Sequence, residues 1–167
     1  MSERIVLGID PGLATIGYGV LHFQGEKVSI RDFGVIETPV GLELPERLLM
    51  IQQDLEVLIR THAPTEAYVE EVFFSTNTKT ALSVAHARGV IMSSLASGGL
   101  RPRSITPNQV KVGMTGDGKA DKKQVQQMLK VQFSLSHIPQ PDDAADALAI
   151  AFCGGIMPAF EGMQVGR

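Results

Sequence analysis

The feature that most constrains the fold is a change of hydrophobic period near Leu44. Before it, residues 5–10 (IVLGID) form a continuous apolar run, which predicts a strand buried on both faces. Two more strand-like segments follow at 15–23 and 27–38, and the short connection between them is typical of a hairpin. After Leu44, leucines and isoleucines recur every three or four residues, which predicts an amphipathic helix ending before Pro64. Three antiparallel strands and a helix therefore open the chain.

The rest of the chain alternates strands with helices. The predicted elements are strands at 66–74 and 101–106, a helix over 78–97, a segment opening with Pro107 where a helix tolerates it, a helix over 121–133 capped by Asp121, and a last helix from 141. The order β-β-β-α-β-α-β-α-α places three meandering strands beside two reached by helical crossovers. The predicted fold class is α/β, with a mixed five-stranded sheet and helices on both faces. Such an arrangement is RNase H-like.

Glycines mark one face of the second strand. Gly17 and Gly19 are two residues apart, so both lie on the same side of the sheet. Glycine inside a strand indicates a place where another backbone or a ligand comes close. We expect a close neighbour on that face.

Length and composition indicate one domain. With 167 residues, 44% of them apolar, the chain predicts a single RNase H-like domain over 1–160 and a flexible C-terminal tail over 161–167. The polar start and the short run 5–10 predict neither a signal peptide nor a membrane span, and hence a cytoplasmic location. The lone Cys153 sits in an apolar segment and is interpreted as a buried hydrophobe. The scattered histidines give little support to a zinc site: His22, His62, His86 and His137.

Charge is distributed unevenly along the chain. The net charge of -3 argues against a nucleic-acid partner, but residues 101–132 carry a balance of +5 and residues 41–71 a balance of -5. A basic segment facing clustered acids suits an enzyme that acts on polyanions. The alternative is two oppositely charged solvated faces.

Acidic residues open the last predicted helix, within PDDAADALAIAFC at 141–153. Asp142 is interpreted as the helix cap, which accepts a bond from a free backbone N–H. Asp146 lies a full turn inside an Ala/Leu/Ile segment, where a carboxylate loses hydration unless a positive group meets it. Its partner must come from another part of the chain.

Acids also end two strands that the predicted fold places together. Asp10 ends the first strand, while Glu70 and Glu71 end the fourth, and Asp143 and Asp146 share one helical face. Converging carboxylates repel unless cations hold them, and oxygen ligands alone favour Mg²⁺ or Mn²⁺. Two such ions form the usual clamp for phosphodiester hydrolysis. Individually, Asp10 is also explained as a turn former, and one of the two glutamates as solvated.

Four motifs together carry a resemblance to a known family. GIDPGLATIGYGV, VEEVFF, NQVKVGMTGDGKADKKQVQQML and PDDAADALAIA occur in order and with matching spacing. In these motifs the chain resembles the bacterial RuvC family of Holliday junction resolvases, from about residue 4 to residue 153. The resemblance implies an RNase H-like endonuclease that cuts four-way DNA junctions with two Mg²⁺ or Mn²⁺ ions. It also implies a homodimer, a RuvA/RuvB branch-migration complex as partner, and a nucleoid-associated bacterial protein.

The same resemblance assigns roles to individual acids. It implies that the metal ligands are Asp10, Glu70, Asp143 and Asp146. It thereby prefers Glu70 to Glu71, and Asp143 to Asp142.

Basic and aromatic roles follow from the same motifs. The resemblance matches the catalytic lysine to Lys122, although Lys123 doubles it, and a DNA-contacting lysine to Lys111. We expect these three and Lys119 to form one basic surface that binds DNA. The aromatic that enters the opened junction matches Phe73, and the neighbouring Phe74 is interpreted as core packing.

Other readings of the motifs remain. GIDPGLATIGYG also resembles the first phosphate loop of the actin, sugar-kinase and Hsp70 superfamily, but that fold needs a second domain and a second phosphate loop. A junction-binding scaffold without activity, or an RNA-processing nuclease of the same fold, are the further alternatives. Intact carboxylates argue against the scaffold, and the basic helix of KADKKQVQ favours the resolvase.

Overall fold

The computed structural model describes residues 3–72 and 78–157. Its elements, in chain order, are β1 (Glu3–Asp10), β2 (Thr15–Gln24), β3 (Lys27–Glu37), α1 (Leu44–His62), β4 (Glu66–Glu70), α2 (Thr78–Ser97), β5 (Arg103–Ile105), α3 (Pro107–Thr115), α4 (Lys122–Gln132) and α5 (Asp142–Ile156). The nine residues of α3 form a complete helix with its own capping box at Thr106, which adds one helix to the predicted order. β4 is shorter than predicted and ends at Glu70, before the second half of VEEVFF.

The five strands form one mixed sheet in the order β3-β2-β1-β4-β5. The first three pair as antiparallel neighbours, whereas β4 joins β1 and β5 joins β4 in parallel. Parallel neighbours need crossover connections, and α1 and α2 supply them. The predicted α/β, RNase H-like sheet is confirmed.

Helices cover both faces of this sheet. Leu7, Ile9 and Val20 pack on one face with residues of α1 and α2. On the other face, Val6 and Leu21 pack with residues of α3, α4 and α5. The alternation along β1 and β2 therefore divides the core into two clusters, one on each side of the sheet.

α5 lies directly on the sheet where the strands carry glycine. A Cβ added at Gly19 would stand 2.7 Å from the backbone nitrogen of Leu148, and one at Gly17 or Gly8 would clash with backbone atoms of α5. The close neighbour expected at Gly17 and Gly19 is thus the backbone of the last helix. This contact fixes the height of α5 above β1 and β2.

Cys153 lies in α5 and is buried against α3, as predicted for a buried hydrophobe. No helix within residues 3–72 and 78–157 is long and apolar enough to cross a membrane. Residues 161–167, the predicted tail, lie outside the described residues.

Candidate active site

Two carboxylates end neighbouring parallel strands on the same face of the sheet. Gly8 of β1 pairs with Tyr68 of β4, and both lie against α5. Side chains on a strand return to the same face every second residue. Asp10 and Glu70, each two residues further on, therefore point to the α5 face at adjacent strand ends.

The first turns of α5 bring two more carboxylates to this place. Asp10 pairs with Gly17 across β1 and β2, and the backbone of Asp143 lies where a side chain at Gly17 would stand. Asp146 follows three residues later on the helix, so it lies on the same side as Asp143. The structure thus brings together the four acids that the sequence predicted.

Burial and mutual repulsion perturb these acids. Burial, followed by the charges of Glu70, Asp146 and Asp143, raises the pKa of Asp10 to about 8. Burial and the charge of Asp146 raise the pKa of Glu70 to about 7. Burial also raises the pKa of Asp146, even though Lys122 acts in the opposite direction. Burial is the largest cause at each of these three acids, and the charges of neighbouring acids add to it.

Lys122 is the cation that meets these acids. Its Nζ lies 2.8 Å from Oδ2 of Asp146 and 3.6 Å from Oδ2 of Asp142. Burial acts to lower the pKa of Lys122, but the hydrogen bond and charge of Asp146 outweigh it and raise that pKa. Lys122 is the first residue of α4, and the predicted cap Asp121 accepts a hydrogen bond from the backbone N–H of Gln124 at 2.9 Å. The cap therefore fixes where the lysine leaves the helix.

Lys123, which the sequence left as an alternative, is exposed and makes none of the ion pairs found among the described residues. The lysine that pairs with Asp146 is Lys122, which is itself largely exposed.

The interpretation of Asp142 as a helix cap is wrong. The N-cap position is held by Pro141, whose backbone is extended, and Asp142 is the first helical residue with no cap bond from its side chain. A cap must have an extended backbone, and Asp142 is already inside the helix. Its exposed carboxylate instead faces Lys122.

The donor set of this cluster suits a divalent cation. Asp10 and Glu70 are mostly buried carboxylates with raised pKa values, and Lys122 is the basic group that offsets them within the described part of the chain. Hard oxygen ligands without histidine or cysteine favour Mg²⁺ or Mn²⁺. No three acidic, histidine or cysteine side chains of the described residues are drawn close enough to hold a metal as they stand.

The other predicted DNA-binding lysines differ in their distance from the acids. Lys111 lines a groove of about 220 Å³ together with Lys122, Glu70 and Asp146. Lys119 is exposed in the loop before α4, where its backbone N–H donates to Oδ1 of Asp117 at 2.8 Å. The structure thus places Lys111 beside the acids. It gives no contact between the acids and either Lys119 or Lys123.

The predicted aromatic residue Phe73 lies outside the described residues, as does Phe74.

The acidic segment 41–71 does not form a surface that faces the lysines. Its helical acids Glu46, Asp54 and Glu56 are exposed on α1, which packs on the opposite face of the sheet. Glu70 is the member of this segment whose charge acts on Asp10. Three of the seven acids of this segment therefore lie on a solvated helix surface.

An arginine that the sequence interpretation missed holds the end of β4. Arg88 of α2 donates from Nε to the backbone carbonyl of Glu70 at 3.0 Å, and from Nη2 to Oγ of Ser104 at 2.7 Å. The guanidinium thereby ties α2 to the ends of two parallel strands, next to a site carboxylate. A charged residue inside the small-residue segment 78–97 was the available signal.

The family model for crossover junction endodeoxyribonuclease RuvC matches residues 6–154. This chain belongs to the RuvC family. The matched region includes every acid of the cluster and all of the lysines named above.

Relatives and solved RuvC structures agree with that membership. The chain is 48% identical to RuvC of Alkaliphilus oremlandii over 149 residues, covering 89% of this chain and 91% of the relative. It is also 48% identical to RuvC of Heliobacterium modesticaldum, covering 89% and 92%. The structure of Thermus thermophilus RuvC in complex with a Holliday junction substrate superposes with a TM-score of 0.85 and 31% identity, covering 91% of this chain and 93% of that one. As a RuvC nuclease, the chain is an endodeoxyribonuclease with divalent-metal dependence.

Proposed function

We propose that this chain resolves four-way DNA junctions in recombination and repair by paired symmetric nicks, each made by two-metal-ion hydrolysis with Mg²⁺ or Mn²⁺. The observation that carries the proposal is the convergence of Asp10, Glu70 and the first turns of α5 beside Lys122. The complex of the Thermus relative with its Holliday junction substrate supports the choice of DNA.

The four carboxylates are the proposed metal ligands. Asp10 and Glu70 approach from the strand ends, and Asp143 and Asp146 from α5. When bound, two divalent ions supply an activated water and stabilise the leaving oxygen. The protein's own part is to hold four oxygen donors on one side of the scissile phosphate and to keep them from separating.

Lys122 acts in this proposal on charge that develops at the reacting phosphate. It is the cation nearest the acids, and a preorganised positive group is worth most where negative charge grows in the transition state. Lys111, Lys119 and Lys123 contact the DNA backbone in the ground state. Phe73 stacks on an unpaired base near the cut, at about 1–3 kcal/mol per base.

A symmetric junction calls for a symmetric enzyme. The active form proposed is a homodimer, because a two-fold pair of sites matches the approximate two-fold symmetry of a four-way junction. The proposed partner of this homodimer is a RuvA/RuvB branch-migration complex. Its proposed location is the bacterial cytoplasm, at the nucleoid.

The test is incubation of the purified protein with labelled four-way DNA, linear duplex and an RNA junction. With Mg²⁺ or Mn²⁺ we expect symmetric nicks in the DNA junction, little cutting of the other two substrates, and no product in EDTA. Equal cutting of linear duplex would contradict junction selectivity, and preferred cutting of the RNA junction would favour the RNA-processing alternative.

A further inference from the structure

A second groove opens on the other side of the acid cluster. It has a volume of about 520 Å³ and lies where the loop after β1 meets α1, α2 and the start of α5. The residues that line it are 12–15, Arg47, Ser83, Val84 and Asp143. Arg47 is the basic residue of this lining within the described part of the chain.

The acids therefore stand between two grooves. Glu70 and Asp146 line the groove of Lys111 and Lys122, whereas Asp143 lines the groove of Arg47. A strand that is cut in its middle continues in both directions from the scissile phosphate. The predicted lysines are all in α3, α4 and the loop between them, so they account for only one of these directions.

Arg47 is held in position by Thr38, which follows β3 and is bonded in turn to the loop after Asp10. Its Nε donates to Oγ1 of Thr38 at 2.8 Å, and its Nη2 donates to the carbonyl of Thr38 at 3.4 Å. Thr38 is itself buried and donates from Oγ1 to the carbonyl of Leu13 at 2.6 Å and from its backbone N–H to that of Ala14 at 3.0 Å. These contacts fix the guanidinium against the wall of the groove.

Those two bonds use two of the five N–H donors that a guanidinium carries. The remaining donors belong to a rigid, planar, always charged group, which matches the oxygens of a phosphate. Arg47 is half-buried and already held in place by these bonds. Binding a ligand in the groove therefore costs less conformational entropy than it would for a free, mobile arginine.

We propose that this groove binds the DNA backbone on the side of the cut opposite Lys111 and Lys122, with Arg47 contacting a phosphate. The inference rests on the proposed nuclease function and extends it to a second binding surface. DNA crossing the end of the sheet would then be held at both flanks of the acids.

The first experiment measures junction binding in EDTA as a function of salt. For Arg47→Gln, the slope of log K against log salt should fall in magnitude by about 0.9, the value for one lost phosphate contact. Arg47→Lys should keep most of the slope, since the charge remains. Arg60→Gln, an exposed arginine in the last turn of the same helix, is the matched control and should leave the slope unchanged.

Thr38→Val tests a purely structural role for Arg47, because it removes the bond from Arg47 Nε to Oγ1 of Thr38 and keeps both the bond to the Thr38 carbonyl and the charge. This variant should lower the melting temperature and leave the salt slope as in the wild type. An unchanged slope in Arg47→Gln, or an equal loss of slope in Thr38→Val, would overturn the proposal.

Ala14→Glu gives a test that leaves the brace intact. Ala14 is exposed at the groove, so a carboxylate there should weaken junction binding several-fold through repulsion of phosphate. Wild-type affinity in this variant would count against the groove as a DNA surface.

The position of the contact is found with junctions that carry one neutral methylphosphonate near the cut. Neutralising one particular phosphate, on one side of the scissile bond, should weaken junction binding by the wild type but not by Arg47→Gln. If no phosphate shows this coupling, the inference fails while the nuclease proposal stands. If the wild type neither binds nor nicks the junction, the nuclease proposal itself fails.

Discussion

Asp10→Asn should stabilise the metal-free protein at neutral pH. The folded state raises the pKa of Asp10 from 3.8 to about 8, mainly by burial and then by the neighbouring acids. Between these two values the folded protein holds a proton that the unfolded chain releases. The contribution of Asp10 to the free energy of unfolding is therefore fully present below the pKa of the unfolded chain, and it is lost as the pH rises towards the pKa of the folded state. Asparagine has no such titration.

The size of the effect follows from the shift. Between pH 3.8 and pH 7 the folded state binds up to one proton more than the unfolded chain. At 1.36 kcal/mol per pH unit, this lowers the free energy of unfolding by at most about 4 kcal/mol. Water entry and relaxation around a site at the end of a sheet reduce this, so about 2 kcal/mol is the expected gain at pH 7.

Urea denaturation in EDTA, at several pH values from 5 to 8, measures it. The free energy of unfolding should fall with pH more steeply in the wild type than in Asp10→Asn. Asp142→Asn is the control, because Asp142 is exposed and lies outside the buried pair of strand ends. Adding Mg²⁺ should stabilise the wild type more than Asp10→Asn. Parallel pH profiles for wild type and Asp10→Asn would refute the reasoning.

The remaining predictions concern catalysis. Asp146→Asn should lower junction cleavage by orders of magnitude and preserve junction binding, whereas Asp142→Asn should remain active; a dead Asp142→Asn beside an active Asp146→Asn would contradict the ligand assignment. Lys122→Ala should reduce single-turnover cleavage far more than affinity, and Lys123→Ala should do neither strongly; the reverse order would move the catalytic lysine by one residue. Arg88→Ala should raise the Mg²⁺ concentration needed for half-maximal cleavage, because the end of β4 loosens, and Arg88→Lys should restore part of it; an unchanged metal requirement would limit Arg88 to a structural role.

Much of the site could be predicted because it depends on local patterns. The run ending at Asp10 and the strand ending at Glu70 are visible as apolar segments, and parallel pairing brings their ends together. The alternation of strand side chains then decides which residues face α5, and it agrees with the choice of Glu70. Gly17 likewise indicates a close neighbour on that face of the sheet, and the neighbour is the backbone of Asp143.

The residues that were missed or misassigned depend on contacts between distant segments. The sequence pattern assigned the helix cap to Asp142, one residue too late, and only the extended backbone at Pro141 shows which residue is the cap. Arg88 and Arg47 bond to carbonyl or hydroxyl groups of other elements, so no spacing within their own helices indicates a role. Hydrogen bonds of this kind follow from how the helices dock on the sheet.

The placement of α5 also supports the proposal that the acid cluster binds a cation. The helix backbone rests on Gly17 and Gly19, so Asp143 and Asp146 cannot retreat from Asp10 without breaking the packing of the core. Repulsion that the backbone cannot relieve has to be relieved by a positive charge or by protonation. Lys122 supplies one such charge, but burial and then the neighbouring acids still raise the pKa of Asp10 and of Asp146. If these carboxylates are the metal ligands, as proposed above, a divalent ion and a proton compete for them, and the Mg²⁺ concentration needed for cleavage should grow as the pH is lowered.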